Sequence, residues 1–317
     1  MSQTHEGPDR DRIQQHRSRP GMDAGDAWVV AADGKRYWGT FGAAGLLAHD
    51  ANRDAILLQH RVSWSDHGGT WGIPGGARLA GESAADAAIR ESGEEAGVPA
   101  GAVSHRFTHL LDRGGWTYAT IVARVTEPFE PEITDPESEA LAWVPVAEVE
   151  RYPLHPGFAA GWPMLGPLLG PAPTMLVDAA NVVGSVPDGW WKDRFGAAQR
   201  LRDRLRTLAG TPVPAALLGF PEALPGITEV TPDWVLVVEG QAAGLDSADG
   251  VRVLTATGSG DDAIVSETQR LTTLGVRVAV ITSDRELGTR ARSAGAVTVH
   301  GSGSLLERLP PAPPTGA

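Results

Sequence analysis

Apolar positions along the chain follow two rhythms. Short runs bounded by Gly, Pro, Asn and Asp read as strands, and stretches with apolar residues three and four apart read as helices. Residues 1–25 show neither rhythm; they are polar and charged and read as a disordered tail. Strands are predicted at AWVV (27–30), RYWGTFGAAGLLAHD (36–50) and AILLQHR (55–61), the last two joined by a turn at Asn52-Arg53-Asp54. WGIPGG (71–76) leads into a helix that starts at Ser83 and stops at Gly97-Val98-Pro99. HRFTHLL and WTYATIVARV are two further strands around a turn at Asp112–Gly115, then come the strand LAWVPV and a short helix in PVAEVERY. GPLLGPAPT (166–174) has neither period and marks a linker, placed at 169–173. Beyond it TMLVD, PAALLGF, DWVLVVEG, VRVLTAT and VRVAVITSD read as strands, with helices at FGAAQRLRDRLRTLAG and DDAIVSETQRLTTLG. That alternation predicts a parallel sheet covered on both faces. The chain closes on a Pro-rich tail over 306–317.

The stretch Gly76–Val98 carries the first candidate chemistry. Ser83 and Asp86 form a capping box, and Ala85, Ile89, Ser92 and Ala96 share the stripe expected to be buried. Glu91, Glu94 and Glu95 share another face within about one turn. Three carboxylates so close repel, and a divalent cation such as Mg²⁺ neutralises them while keeping positions for water and phosphate.

Gly76, Glu82, Arg90-Glu91, Glu94-Glu95 and Gly97-Val98 match the box of the Nudix hydrolases in residue type and spacing. Residues 26–168 therefore resemble a Nudix domain. Ser92 stands where the family usually has an apolar residue, and Gly93 follows inside the helix. The resemblance implies an α/β/α sandwich with a mixed sheet. It implies hydrolysis of a nucleoside diphosphate linked to another moiety, with Mg²⁺ or Mn²⁺ on Glu91, Glu94 and Glu95. Glu94 and Arg90 would act in catalysis, Arg90 by orienting Glu91. Gly76 and Glu82 would shape the substrate side, with Glu82 also a candidate to support a metal, and Glu137, with Glu139 as its competitor, would supply a base from a loop. Arg61 is a candidate phosphate contact. Trp38, Phe41, Trp64, Trp71 and Trp116 are candidates to stack a base, against the alternative of core positions.

Composition narrows the setting. The 317 residues suit two domains, and cysteine is absent, so thiol chemistry and disulfides are excluded. No run approaches a membrane span, and the start of the sequence has no apolar leader core, so a cytoplasmic protein with no membrane partner is expected. Such a domain is compatible with a homodimer. The formal net charge of −12 opposes sequence-blind binding of nucleic acid by bulk charge.

In the second half, 174–305, the acids fall at strand ends. Asp178, Glu239 and Asp284 each close an apolar strand, and Asp261-Asp262 open a helix. In an open parallel sheet those ends form one edge, where sites lie. Gathered buried carboxylates again point to a divalent cation. A dehalogenase-type phosphatase needs an Asp where Ala180 stands, and the glycines of Gly258-Ser259-Gly260 make only a weak dinucleotide loop beside two aspartates. VDAANVVG, GSGDDAIV and TSDREL resemble the acidic motifs of NYN domains, which are PIN-like ribonucleases. The resemblance implies a PIN-like three-layer fold with a parallel sheet. It puts Mg²⁺ or Mn²⁺ on Asp178, Asp261, Asp262 and Asp284, with Asn181 positioning the site. Glu239 is either a further ligand or a structural strand-end acid. Single-stranded RNA is then a candidate partner. Residues 173–317 carry 13 Lys and Arg against 16 Asp and Glu. Lys192, Arg194, Arg200, Arg202, Arg204 and Arg206 cluster beside Trp190-Trp191, an RNA strip or a solvated helix face. Two sites in one chain also allow an RNA 5′-end processing enzyme, and a nucleotide-sensing regulator is the alternative of another class.

Overall fold

The computed structural model describes Gly25, residues 27–220 and residues 224–311. The tail expected over 1–25, Gly25 apart, and residues 312–317 of the Pro-rich tail lie outside the described residues. The chain divides between Leu169 and Gly170 into two compact units.

The first unit opens with an antiparallel ribbon, β1 (Trp28–Val30) and β2 (Arg36–Trp38). The long strand expected over 36–50 is two strands. Gly39 and Gly42 adopt φ of +100° and +85°, and the chain turns there before β3 (Ala43–Asp50) begins. The other strands are β4 (Ala55–Arg61), β5 (Trp71–Gly72), β6 (Gly75–Ala77), β7 (Val103–Asp112), β8 (Thr117–Val125) and β9 (Ser138–Pro145). Within this unit they run β7-β8-β3-β4-β5, with β6 added on β3 and β9 on β4. β3 is parallel to β8 and antiparallel to β4 and β6, so the sheet is mixed. Every residue of β3 is buried, which requires cover on both faces.

Helix α1 (Ala84–Ala96) packs on this sheet through small residues. Ala87, Ala88 and Ala96 join Ala44, Leu46, Leu57, Ala119 and Ile121 in one core. Alanines let the helix approach closely, which matters because the same helix carries the acids. Of the stripe expected to be buried, Ser92 and Ala96 are buried, Ala85 and Ile89 are partly buried, and Glu95 is buried as well. Helix α2 (Pro156–Leu165) buries Phe158, Trp162 and Leu165.

The second unit is built on five parallel strands in the order β14-β13-β10-β15-β16. These are β10 (Thr174–Asp178), β13 (Asp233–Val238), β14 (Val251–Thr255), β15 (Val278–Ile281) and β16 (Thr298–His300); β11 (Val213–Pro214) and β12 (Ile227–Val230) pair antiparallel outside this parallel sheet. Its helices are α3 (Ala179–Gly184), α4 (Arg194–Leu205), α5 (Gly260–Thr273), α6 (Arg285–Ser293) and α7 (Ser302–Leu306). α5 and α6 cover one face through Ile264, Leu271, Leu287 and Ala291 against Leu176, Val235 and Val280. The alternate residues Met175, Val177, Leu236 and Ile281 are equally buried, so the opposite face is covered too. PAALLGF is not a strand. Ala215–Leu218 is a 3₁₀ turn that buries Ala215 and Leu218 three apart and stops at Gly219 with φ +72°.

Gly75 fixes how β6 meets β3. A Cβ there would lie 2.4 Å from the Ala44 carbonyl oxygen and 2.5 Å from the Gly45 Cα, both backbone atoms that cannot turn aside. Gly75→Ala is therefore expected to destabilise the first unit by roughly 1–3 kcal/mol, measured by urea unfolding; an unchanged midpoint would show that the strand pair is looser than described.

Candidate functional site

The acidic helix is defined at both ends by its own residues. Ser83 Oγ accepts from the Asp86 N–H at 3.1 Å and donates to Asp86 Oδ2 at 2.6 Å. Gly97 enters the left-handed region at φ +65°, and the N–H groups of Gly97 and Val98 return to the Gly93 and Ser92 carbonyls. Ser92 is fully buried; its hydroxyl donates to the Ile89 carbonyl, which explains how a polar residue stands at an apolar position.

One arginine organises the acids. Arg90 Nε and Nη2 donate to the two oxygens of Glu82 at 2.9 Å each, Nη1 donates to Glu91 Oε1 at 2.7 Å, and Nη2 also reaches the Ala77 carbonyl. Glu82 is held below the usual carboxylate range, chiefly by Arg90. Glu82 additionally accepts from the Leu79 N–H, and its own carbonyl accepts from Arg78 Nη2. Glu82 is thus a brace for Arg90, beside Glu91 rather than among the three acids expected to share a face.

Glu91 and Glu95 are the perturbed pair. Burial pushes the Glu91 carboxyl up to about 7 against the pull of Arg90, and nearby Glu94 and Glu137 add to the rise. Burial pushes Glu95 up to about 8, opposed by the Gly75 N–H, which donates to Glu95 Oε2 at 2.9 Å. The other Glu95 oxygen takes no hydrogen bond among the described residues. Glu91 packs on bare backbone: a Cβ on Gly76 would sit 2.5 Å from its Oε2. Gly75 and Gly76 therefore form the floor on which both carboxylates rest. Glu94 is exposed, 3.6 Å from Arg90 Nη1. The three acids do not bring their oxygens within 4.8 Å of one another. Like charges move apart, and Arg90 stands between Glu91 and Glu94.

Around them the expected residues separate. Glu137 is close enough to raise both buried acids, whereas Glu139 turns to His60 Nδ1 at 3.1 Å. Arg61 is among the charges acting on Glu95, and its Nε donates to the Asp66 carbonyl. Tyr118 carries no signal in the sequence pattern. It is half-buried, and desolvation of its phenol, with Glu95 nearby, holds it above the ordinary range. Of the aromatics, Trp116 is buried, stacks on Tyr37 at 4.4 Å and donates to the Trp38 carbonyl, so these are structural. Trp71 sits between His60 and Tyr152, and Phe41 is exposed.

Comparison with known proteins bears on this half. Residues 40–163 match the NUDIX domain model. A protein of Mycobacterium tuberculosis (strain H37Rv) named "Putative 8-oxo-dGTP diphosphatase 3" is 47% identical over 150 residues, covering 44% of this chain and 69% of that protein. The chain belongs to the Nudix family. As a Nudix pyrophosphohydrolase it is a hydrolase acting on phosphorus-containing anhydrides. A Bifidobacterium longum "Nucleoside triphosphate pyrophosphatase/Nudix hydrolase fusion protein" is 40% identical over 148 residues, 44% of this chain and 30% of that one. A solved Nudix hydrolase from M. smegmatis, RenU, is 44% identical over 44% of this chain and 92% of its own, with a TM-score of 0.42.

The second unit holds its own acidic pocket, of about 210 Å³, lined by Asp178, Asn181, Glu239, Gly260, Asp261 and Asp284 among others. Asp178 ends β10, caps α3 and accepts from Thr282 Oγ1 at 2.9 Å. Burial raises its carboxyl, with Asp261 and Glu239 contributing, and burial and Asp284 raise Asp261. Asn181 Oδ1 accepts from the Ser283 N–H, locking two strand ends together. Asp262 does not join them. It faces Arg290 on α6, one helical step away from the pocket residue Asp261. Glu239 does line the pocket, accepting from the Gly260 N–H at 2.6 Å. No three of these acids close within 4.8 Å. Thr282 is a partner that the acidic pattern does not single out, although TSD places it two residues before Asp284. The positive strip is largely occupied by its own chain: Arg200 meets Asp193, Arg202 meets Asp203, Arg206 meets Asp249 and Arg204 donates to the Pro310 carbonyl. Arg194 lies over Trp190.

Buried acids with raised midpoints hold protons that the unfolded chain has released. Between about 4.5 and about 8 the folded state binds more protons, so stability falls as pH rises through that window and levels off above it. Thermal unfolding of the chelator-treated protein across this range is expected to show that fall, and Glu95→Gln is expected to flatten it; a stability that rises with pH there would contradict the assignment.

Proposed function

We propose that the first unit hydrolyses the pyrophosphate of a nucleoside diphosphate linked to another moiety, with Mg²⁺ or Mn²⁺ held by Glu91, Glu94 and Glu95. The observation that carries this is the pairing of Glu91 and Glu95 on the Gly75-Gly76 floor, both resisting ionisation until positive charge arrives. The donor set is all oxygen, which suits Mg²⁺ and Mn²⁺. When bound, the cation polarises phosphate oxygens and lowers the pKa of a coordinated water. Arg90 holds Glu91 in one orientation, and Glu82 holds Arg90. Glu137, within reach of both buried acids, is the candidate to accept a proton from water. The Mycobacterium tuberculosis relative's printed name makes an oxidised purine nucleoside triphosphate the first substrate to try.

A substrate panel with Mg²⁺ tests this reading. Turnover of at least one nucleotide is expected, with a loss of about 100-fold or more for Glu94→Gln; full activity of that variant would remove the acidic helix from the chemistry.

The second unit supports a reading of its own, a PIN-like metal-dependent ribonuclease. Its support is the arrangement of Asp178, Glu239, Asp261 and Asp284 in one pocket at the carboxyl ends of a parallel sheet. Cleavage of single-stranded RNA with Mn²⁺ or Mg²⁺ is expected and should vanish in Asp178→Asn; wild-type protein inert under both ions would reject it.

A further inference from the structure

The hairpin β4–β5 ends in a tightly built tip that has no part in the acidic helix. Its base is closed by the Arg61 N–H to the Thr70 carbonyl and the Gly69 N–H to the Arg61 carbonyl. Inside it, the Ser65 N–H reaches the Val62 carbonyl and the Gly68 N–H reaches the Ser65 carbonyl. A Cβ on Gly68 would strike the Val62 and Ser63 backbone at 2.4–2.6 Å, so the tip is packed to contact. This packing holds His67 at φ +52°, in the left-handed region that histidine enters more readily than most side chains. Across from the tip runs the segment before α2. It is tied to β5 by the Trp71 N–H to the Pro153 carbonyl and the His155 N–H to the Trp71 carbonyl at 2.7 Å.

The two segments bring three ligand groups together. The imidazoles of His67 and His155 meet edge to face, centroids 4.9 Å apart. Asp66, His67 and His155 each offer one ligand atom, and these atoms all lie within 4.8 Å of one another, the one such group among the described residues. Neither the Asp66 carboxylate nor the His67 ring makes a hydrogen bond among the described residues. Ligands on one tetrahedral ion stand about 3–3.5 Å apart, so small side-chain rotations close the set.

We propose that Asp66, His67 and His155 form a second cation site, for a borderline divalent ion of the Zn²⁺ class. Two imidazoles and one carboxylate, with open positions left for water, are a donor set for Zn²⁺ or Co²⁺ rather than Mg²⁺. The chain thereby sorts ions by chemistry: nitrogen donors at the hairpin tip, oxygen donors alone on the acidic helix. His155 Nδ1 accepts from the Gly157 N–H at 3.1 Å. Binding competes with that one hydrogen bond, and the amide it releases lies at an exposed helix start where water replaces it. The bound ion cross-links the hairpin tip to the segment before α2 and fixes Arg61, at the base of the tip, beside the Glu95 side of the acidic site.

The test uses the full chain, stripped of metal and held in excess Mg²⁺, titrated with Co²⁺ as a spectroscopic probe and Zn²⁺ as competitor. Saturation at one Co²⁺ per chain with a visible ligand-field band, displaced by Zn²⁺, is expected. His67→Asn keeps a residue that accepts positive φ, and His155→Asn keeps a helix N-cap, so both variants should fold, as circular dichroism will check. Each is expected to weaken Co²⁺ binding at least about tenfold, while Glu95→Gln binds like wild type. Wild-type protein that gives no band, variants that bind as wild type does, or loss of the band in Glu95→Gln instead would each overturn the proposal.

Discussion

Two carboxylates, one buried and one half-buried, beside bare backbone are the constraint around which the first unit is arranged. Glu91 and Glu95 sit on Gly75 and Gly76, where no side chain intervenes. That proximity requires α1 to lie close on the sheet, and its alanines permit it. It also requires a counter-charge that cannot wander. Arg90 supplies one, gripped on its far side by both oxygens of Glu82. A carboxylate left alone at such burial would stay protonated; the fixed guanidinium of Arg90 works against this for Glu91, and the Gly75 N–H does so for Glu95.

The same logic, at lower burial, recurs in the second unit. Parallel strands deliver their carboxyl ends to one edge, and the first residues after each strand meet there whatever the distance between them in the chain. Asp178 and Thr282, 104 positions apart, share a hydrogen bond for that reason. Asn181 and Ser283 share another. The pocket is a product of topology, whereas the acidic helix is a product of local spacing.

That difference decides how much of each site is legible in the amino-acid sequence. Glu91, Glu94 and Glu95 lie within one helical turn, so periodicity alone brings them near each other, and matching spacing from Gly76 to Val98 carries the family. Strand ends are legible because apolar runs stop abruptly at Asp178 and Glu239. Side-chain direction is not. Periodicity places Glu95 on another face than the buried stripe, yet it is buried, accepting from the Gly75 N–H. Asp261 and Asp262 look equivalent in the sequence, and one helical step separates a pocket residue from a partner of Arg290. Long-range contacts are equally hidden. Asp66-His67 and His155 are far apart in sequence, and only the pairing of Trp71 with the 153–155 segment brings them together. The split of residues 36–50 turns on Gly39 and Gly42, whose positive φ no hydrophobic pattern reports.

Protonation of the buried pair is the property on which all of this depends, and carbon-detected NMR of the Glu91 and Glu95 side-chain carboxyls reads it directly. In metal-free protein both are expected to titrate far above an ordinary glutamate, near 7 and 8, and both midpoints should fall when Mg²⁺ is added to saturation. Midpoints near 4.5 that ignore Mg²⁺ would mean that the two carboxylates are solvated and hold no cation, contrary to the arrangement described.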